Sequence, residues 1–190
     1  IDAHPSVCFV IDESYGAFTR QPLPTAAEMA ERSNVIVIRS ATKRHAVPGL
    51  RLGCLTASAE MIDRIRVQRI PWSVNALAVE AGKFFLRENP PLQPSIDDLL
   101  AERDRLMAAL ADLKIADLWP TETHFFLARL RMGTAAALKH YLIQEHGLLI
   151  RDASNFEGLD AAFVRIATQS RADNDLLIQT LSLWKHTYFS

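Results

Sequence analysis

Lys43 closes the run Arg39-Ser40-Ala41-Thr42-Lys43, which puts two hydroxyl groups and one amine within a few positions of each other. Arg51 follows inside Pro48-Gly49-Leu50-Arg51-Leu52-Gly53. An amine close to an arginine and to buried apolar neighbours loses proton affinity, because like charge and desolvation both disfavour the ammonium. A neutral amine condenses with an aldehyde to a Schiff base. Ser40, Thr42 and Arg51 form a donor set for a phosphate, with Arg51 as its planar two-pronged member. A solitary lysine after a strand is ordinarily a solvated surface residue. It is the surrounding set that points to chemistry.

Other residues carry complementary functions. Asp12 directly follows the apolar run Val7-Cys8-Phe9-Val10-Ile11, and Tyr15 comes three residues later. Taken alone, Asp12 reads equally well as a cap for the next turn, and Tyr15 as a half-buried tyrosine with its hydroxyl satisfied. Arg151 and Arg165 each end or interrupt an apolar run. Such arginines are commonly salt-bridge partners, but they are also suited to bidentate capture of a carboxylate or phosphate.

The elements that must position these groups can be read from periodicity. Ser6–Ile11 and Val35–Ile38 are continuous apolar runs of the kind found in parallel sheets covered on both faces. A short helix over Pro24–Arg32 separates them, and Arg51–Ala57 reads as another strand. Strand, helix, strand in this order predicts a parallel α/β sheet. Helices follow over Ser58–Gln68, with Ser58 as N-cap, and over Asn75–Arg87, with Leu77, Ala81, Phe84 and Phe85 on one face and the two phenylalanines in the core. Asn89-Pro90-Pro91 is a stop and a hinge. A charged helix over Ile96–Leu113 turns Leu99, Leu106, Leu110 and Leu113 inward, with Asp97, Asp98, Glu102, Arg103, Asp104 and Arg105 as its solvated face. Strands over Thr123–Leu130, Leu148–Ile150 and Phe163–Ala167 alternate with helices over Thr134–His146, closed by Gly147, and Arg171–Tyr188. The predicted domains are residues 1–90 and a smaller α+β unit over residues 91–190.

Bulk properties exclude several classes. A formal net charge of −1 and a pI near 6.7 give no electrostatic reason to expect nucleic acid or an anionic membrane. No apolar run approaches the roughly 18 residues of a membrane span, and the first residues lack the basic and apolar regions of a signal peptide. The two cysteines, Cys8 and Cys54, lie in apolar strand-like contexts and are predicted to be buried free thiols in a reducing compartment. No CxxC or HxxxH spacing suggests a zinc site.

Ser40-x-Thr42-Lys43 with Pro48-Gly49-Leu50-Arg51-Leu52-Gly53, preceded by Asp12 and Tyr15, resembles the lysine segment of pyridoxal-phosphate enzymes of the aspartate aminotransferase fold. The likeness runs from Asp12 through Arg165. It implies an α/β fold: the C-terminal part of a large, mostly parallel-sheet domain plus the small C-terminal domain. It implies pyridoxal 5'-phosphate as cofactor, bound to Lys43, which also serves as general base and acid. Asp12 would pair with the ring nitrogen and Tyr15 with the 3-oxygen, while Ser40, Thr42 and Arg51 would hold the phosphate. Arg165 would bind the substrate α-carboxylate, and Arg151 the substrate in the subgroup that uses phosphorylated amino acids. A cytoplasmic homodimer is implied as well.

Within that family the chain is most similar to histidinol-phosphate aminotransferases and threonine-phosphate decarboxylases. Pro71-Trp72-Ser73-Val74-Asn75 and Arg151-Asp152-x-Ser154-Asn155-Phe156-Glu157-Gly158 resemble the decarboxylases more. Transamination of a small phosphorylated amino acid is the expected reaction, with phosphothreonine decarboxylation as the alternative. A non-catalytic domain that kept the fold is the rival from another class. The resemblance also implies a preceding stretch of comparable size, with a glycine-containing phosphate loop, a stacking aromatic and an asparagine, so the chain is expected to be a fragment. His45 stands where relatives have Phe or Tyr, and His124 where they often have Asn. Both are read as structural.

Overall fold

Val35, Ile36, Val37 and Ile38 are all β-branched, and they open the central strand of a three-stranded sheet. A computed structural model describes residues 1–92 and 94–189. In it, β1 (Phe9–Asp12) and β2 (Val35–Ser40) run parallel, with Phe9 opposite Val35 and Asp12 opposite Ile38. Their crossover carries a 3-10 turn (Gly16–Phe18) and α1 (Ala26–Ala30). Thr25 and Glu28 form a reciprocal capping box at the start of α1. The chain then forms α2 (Ala41–Arg44), a second 3-10 turn (Pro48–Leu50) and β3 (Gly53–Ala57).

The parallel arrangement ends at β3, which pairs antiparallel to β2 with Ser40 opposite Gly53. The segment between them spends its length in tight helical turns and returns to the strand end it left, where the Ala41 N–H donates to the Leu52 carbonyl at 3.2 Å. Only an antiparallel partner can start there.

Val35 and Val37 are buried with Met29, and Ile1, Phe9 and Ile11 pack against them. The opposite sheet face carries Val10, Ile38 and Leu55, all exposed. Burial on both faces, as the apolar runs suggest, is therefore not met within this chain. Cys8 and Cys54 are exposed as well, which corrects their expected burial. Cys8 precedes the first paired residue of β1, and Cys54 lies on the edge strand.

α3 (Ala59–Val67) starts at Ser58, whose hydroxyl accepts from the Met61 N–H. α4 (Ala76–Glu88) starts at Asn75, whose side chain accepts from the Ala78 N–H, and stops at Asn89 in the left-handed conformation. Leu77 and Phe84 are exposed, so the core face expected of this helix is also a correction.

The chain divides into two compact units, Ile1–Ile96 and a second beginning at Asp97. The second contains most of α5 (Ile96–Leu113), then β4 (Ala116–Leu118), β5 (Phe125–Leu130), α6 (Ala135–His146), β6 (Arg151–Asp152), β7 (Phe163–Ala167) and α7 (Arg171–Phe189). Its four strands form an antiparallel sheet in the order β4-β5-β7-β6. Phe126, Ala128, Val164 and Ile166 turn to a core shared with Leu106, Leu138, Leu142 and Trp184. By the two-residue period of a strand, Phe125, Leu127 and Arg165 lie on the other face.

Three details of this unit differ from expectation. β4 has no periodic signal because it is only three residues long. Leu148–Ile150 forms no ladder, and pairing begins at Arg151. The charged side of α5 is only partly solvated. Arg103 is buried and donates to the carbonyls of Thr121 (3.0 Å) and Thr123 (2.9 Å). Glu102 and Asp175 both pair with Arg105, and Asn174 donates to Glu102 at 2.9 Å. Long polar side chains thus anchor α7 and the entry to β5 where an apolar face could not.

Among the described residues no helix is long and apolar enough to cross a membrane, and no group of His, Cys, Asp and Glu forms a metal site.

Candidate active site

The β1–β2 ladder brings Asp12 and the lysine turn to the same strand ends, since Asp12 pairs with Ile38 and α2 begins directly after Ser40. Tyr15 follows Asp12 in a short turn. The Lys43 Nζ lies 5.7 Å from the centre of the Tyr15 ring. The Ser40 and Thr42 hydroxyls lie 2.6 Å apart, with Thr42 buried. Hydrogen bonds from the Ser14 hydroxyl and N–H hold the Asp12 carboxyl below the usual carboxylate range. Asp12 therefore stays ionised at neutral pH.

Arg51 occupies the left-handed region at φ 55°, and its guanidinium donates to the Pro48 carbonyl at 3.0 Å. The Ser40–Gly53 pairing returns it to the strand end that carries Ser40. The close approach depends on Gly53, where a β-carbon would lie 2.9 Å from the Arg39 carbonyl oxygen. One part of the sequence argument is corrected: Lys43 is exposed in this chain, so burial among apolar neighbours does not surround it here.

The second unit holds the two arginines. Arg151 and Arg165 are register partners in the β6–β7 pair, which directs both side chains to one face of the sheet. Each guanidinium lies over an aromatic ring: Arg165 over Phe125 at 5.1 Å, and Arg151 over Phe156 at 5.8 Å. Arg151 also donates to the Asn155 side chain at 3.0 Å. His124 stands near Arg165. Burial, and then the charge of Arg165, push its imidazole below the usual value. Arg165 borders two cavities within this unit, one of ≈ 560 Å³ that also meets Arg151 and Lys139, and one of ≈ 460 Å³ walled by Trp119, Phe125 and Phe156.

Periodicity does not find Phe125, Phe156 and Asn155 as supports for the arginines. Asn155 and Phe156 lie four and five positions past Arg151 in a loop without a period, and only the fold shows that the loop turns back onto it. Glu13, the neighbour of Asp12, pairs with Arg39 at 2.8 Å and is otherwise buried. It stiffens the junction of β1 and β2 where the site begins.

One unit thus ends a parallel strand pair in a carboxylate, a tyrosine and a lysine turn, and the other, a small antiparallel α+β unit, bears two opposed arginines. The chain belongs to the aminotransferase class I and II family, whose model it matches over residues 1–181. It is 39% identical to the L-threonine-O-3-phosphate decarboxylase of Porphyromonas gingivalis, whose crystal structure superposes with a TM-score of 0.93 over 97% of this chain and 57% of that one. It is 32% identical to the threonine-phosphate decarboxylase of Salmonella typhimurium, covering 93% of this chain and 48% of that protein. It is also 32% identical to histidinol-phosphate aminotransferase 2 of Archaeoglobus fulgidus, covering 90% and 48%. The chain spans about half the length of the curated relatives it matches.

Proposed function

We propose that this chain carries the lysine, the ring-nitrogen carboxylate and the substrate arginines of a pyridoxal-5'-phosphate enzyme acting on a small phosphorylated amino acid, and that its reaction is decarboxylation. The observation that carries the substrate class is the Arg151–Arg165 pair on one sheet face. Two guanidinium groups match a ligand with two anionic ends, a carboxylate and a phosphate. Residues 1–90 are read as part of the cofactor domain and residues 91–190 as the small domain. The reading includes a homodimer in the cytoplasm.

The donor set fits the cofactor. Lys43 offers the amine that binds its aldehyde carbon, ionised Asp12 the partner of its ring nitrogen, and Tyr15 a hydroxyl for its 3-oxygen. Ser40 and Thr42, already within hydrogen-bond distance of each other, offer hydroxyls to its phosphate together with Arg51. When bound, the cofactor supplies an electron sink for the bond broken at the substrate α-carbon. Arg165 orients the α-carboxylate and Arg151 the phosphate. Lys43 moves the proton at the α-carbon.

Decarboxylation is preferred because the decarboxylase of Porphyromonas gingivalis is 39% identical to this chain. The α-carboxylate leaves as carbon dioxide, and the α-carbon takes up a proton in its place. Transamination is the second reading, supported by the Archaeoglobus fulgidus relative. There the α-proton is removed, and the amino group is passed on to an acceptor. Product analysis separates the two. With O-phosphothreonine and pyridoxal phosphate, release of carbon dioxide with a phosphorylated amino alcohol is expected. An α-keto acid formed without carbon dioxide would overturn decarboxylation.

A further inference from the structure

α4 presents one face to the loop that bears Lys43, and it touches that loop at four places. Asn75, its N-cap, donates to the Leu50 carbonyl at 3.1 Å. A β-carbon on Gly82 would lie 3.3 Å from the Leu52 side chain, so the glycine permits a tight approach. The Phe85 ring lies flat on His45, with centroids 3.8 Å apart and planes 4° from parallel. Asn89, its C-cap, accepts from the Arg44 guanidinium at 3.4 Å. Positions 75, 82, 85 and 89 are spaced by seven, three and four residues, which is one stripe of a helix. The loop residues they hold, Arg44, His45, Leu50 and Leu52, flank Lys43 and Arg51.

This loop needs holding. Ala46 and Arg51 both adopt positive φ, 51° and 55°, a conformation that residues with a β-carbon disfavour. Such a turn persists only where its surroundings over-determine it. His45 makes a flat ring stack immediately before the first of these strained positions, Ala46.

We propose that His45 is a positioning residue: its ring, stacked on Phe85, braces the strained turn between Lys43 and Arg51 against α4. The importance of this turn rests on reading Lys43 as the cofactor lysine. A neutral imidazole suits the stack. Burial, and then the charge of Arg44, hold His45 below the usual imidazole value. The aromatic residue expected at this position from the family resemblance is thus replaced by another flat ring, and shape rather than titration does the positioning.

The test uses the 190-residue chain. Hydrogen exchange read by mass spectrometry on peptides covering residues 41–52 should quicken about two- to tenfold in His45→Ala, the range an aromatic pair supports. His45→Phe should restore protection. Peptides covering β1 and β2 should be unchanged in both, which reports that the unit holding the loop is folded. Phe85→Leu should loosen the same loop, and the double variant with His45→Ala should be no looser than either single one. A parallel readout is the rate at which pyridoxal phosphate and borohydride label Lys43 relative to Lys83 and Lys139. That ratio should fall in His45→Ala and recover in His45→Phe. Unchanged exchange over residues 41–52 in His45→Ala, or a His45→Phe variant as loose as His45→Ala, would overturn the brace. Loosening without any label on Lys43 in the wild-type chain would support the brace and overturn the cofactor reading instead.

Discussion

Arg151 and Arg165 face each other across the β6–β7 ladder, fourteen residues apart in sequence and directly opposed in register. Two like charges directly opposite each other destabilise an antiparallel pair. They are tolerated here on exposed or half-buried strand positions, each over an aromatic face that stabilises a cation. The arrangement retains a repulsion that an anionic ligand would relieve.

The first prediction concerns these arginines. Replacing either by lysine keeps the charge and removes the fork geometry. Arg165→Lys should raise KM for a phosphorylated amino acid about tenfold or more, the scale of one lost charge-assisted hydrogen bond. Arg151→Lys should do the same, with a smaller effect on an analogue lacking the phosphate. Steady-state kinetics with both substrates checks this. Equal effects of Arg151→Lys on the two would remove the phosphate assignment.

Lys43→Ala should lower turnover by at least about 10²–10⁴-fold, the contribution of a positioned proton-transfer group, and should leave only the background borohydride-trapped label on other lysines such as Lys83 and Lys139. Its unfolding curve should stay close to that of the unaltered chain, because Lys43 is exposed. Retained turnover would point to a different lysine.

A third expectation concerns pH. The Arg105 side chain, ahead of the opposing cost of burial, holds the Glu102 carboxyl below its ordinary value, and Asn174 adds to this. A lowered folded-state value means that the contribution is fully present above the unfolded carboxylate range. It is lost as pH falls through the folded value. Acid unfolding of the unit beginning at Asp97 should therefore steepen below about pH 4.5. Glu102→Gln should flatten that limb, as followed by near-ultraviolet dichroism of Trp184, which sits buried in the same unit. An unchanged acid limb in the variant would show that other carboxylates govern it.

Gly53→Ala should destabilise the first unit by about 1–3 kcal/mol, the usual cost of overpacking. The added β-carbon meets backbone, the Arg39 carbonyl oxygen at 2.9 Å, and not a side chain that could swing away. Displacing β3 from β2 would also shift Arg51 relative to Ser40. Denaturant unfolding gives the first effect, and the yield of trapped Lys43 adduct gives the second. A neutral Gly53→Ala would mean that the ladder has slack at this point.

Much of the architecture was legible in the residue order. The β-branched run at Val35–Ile38, the caps at Ser58 and Gly147, and the spacing of Leu99, Leu106 and Leu110 express local preferences, and they appear in the structure where the sequence puts them. The family was legible too, because the residues around Lys43 form a dense motif within a short stretch of chain. What periodicity could not supply depends on contacts between segments distant in sequence. The direction of β3 follows from where residues 41–52 return, the exposure of Cys8, Cys54, Leu77 and Phe84 from which faces other elements cover, and the burial of Arg103 from two carbonyls about twenty residues away. The same holds for the His45–Phe85 stack and the Arg151–Arg165 pair. Sequence by itself determined which groups are available for chemistry. Tertiary structure decided which of them meet, because a strand or helix can expose the same pattern to solvent, a core or a neighbouring loop, and only packing selects among these.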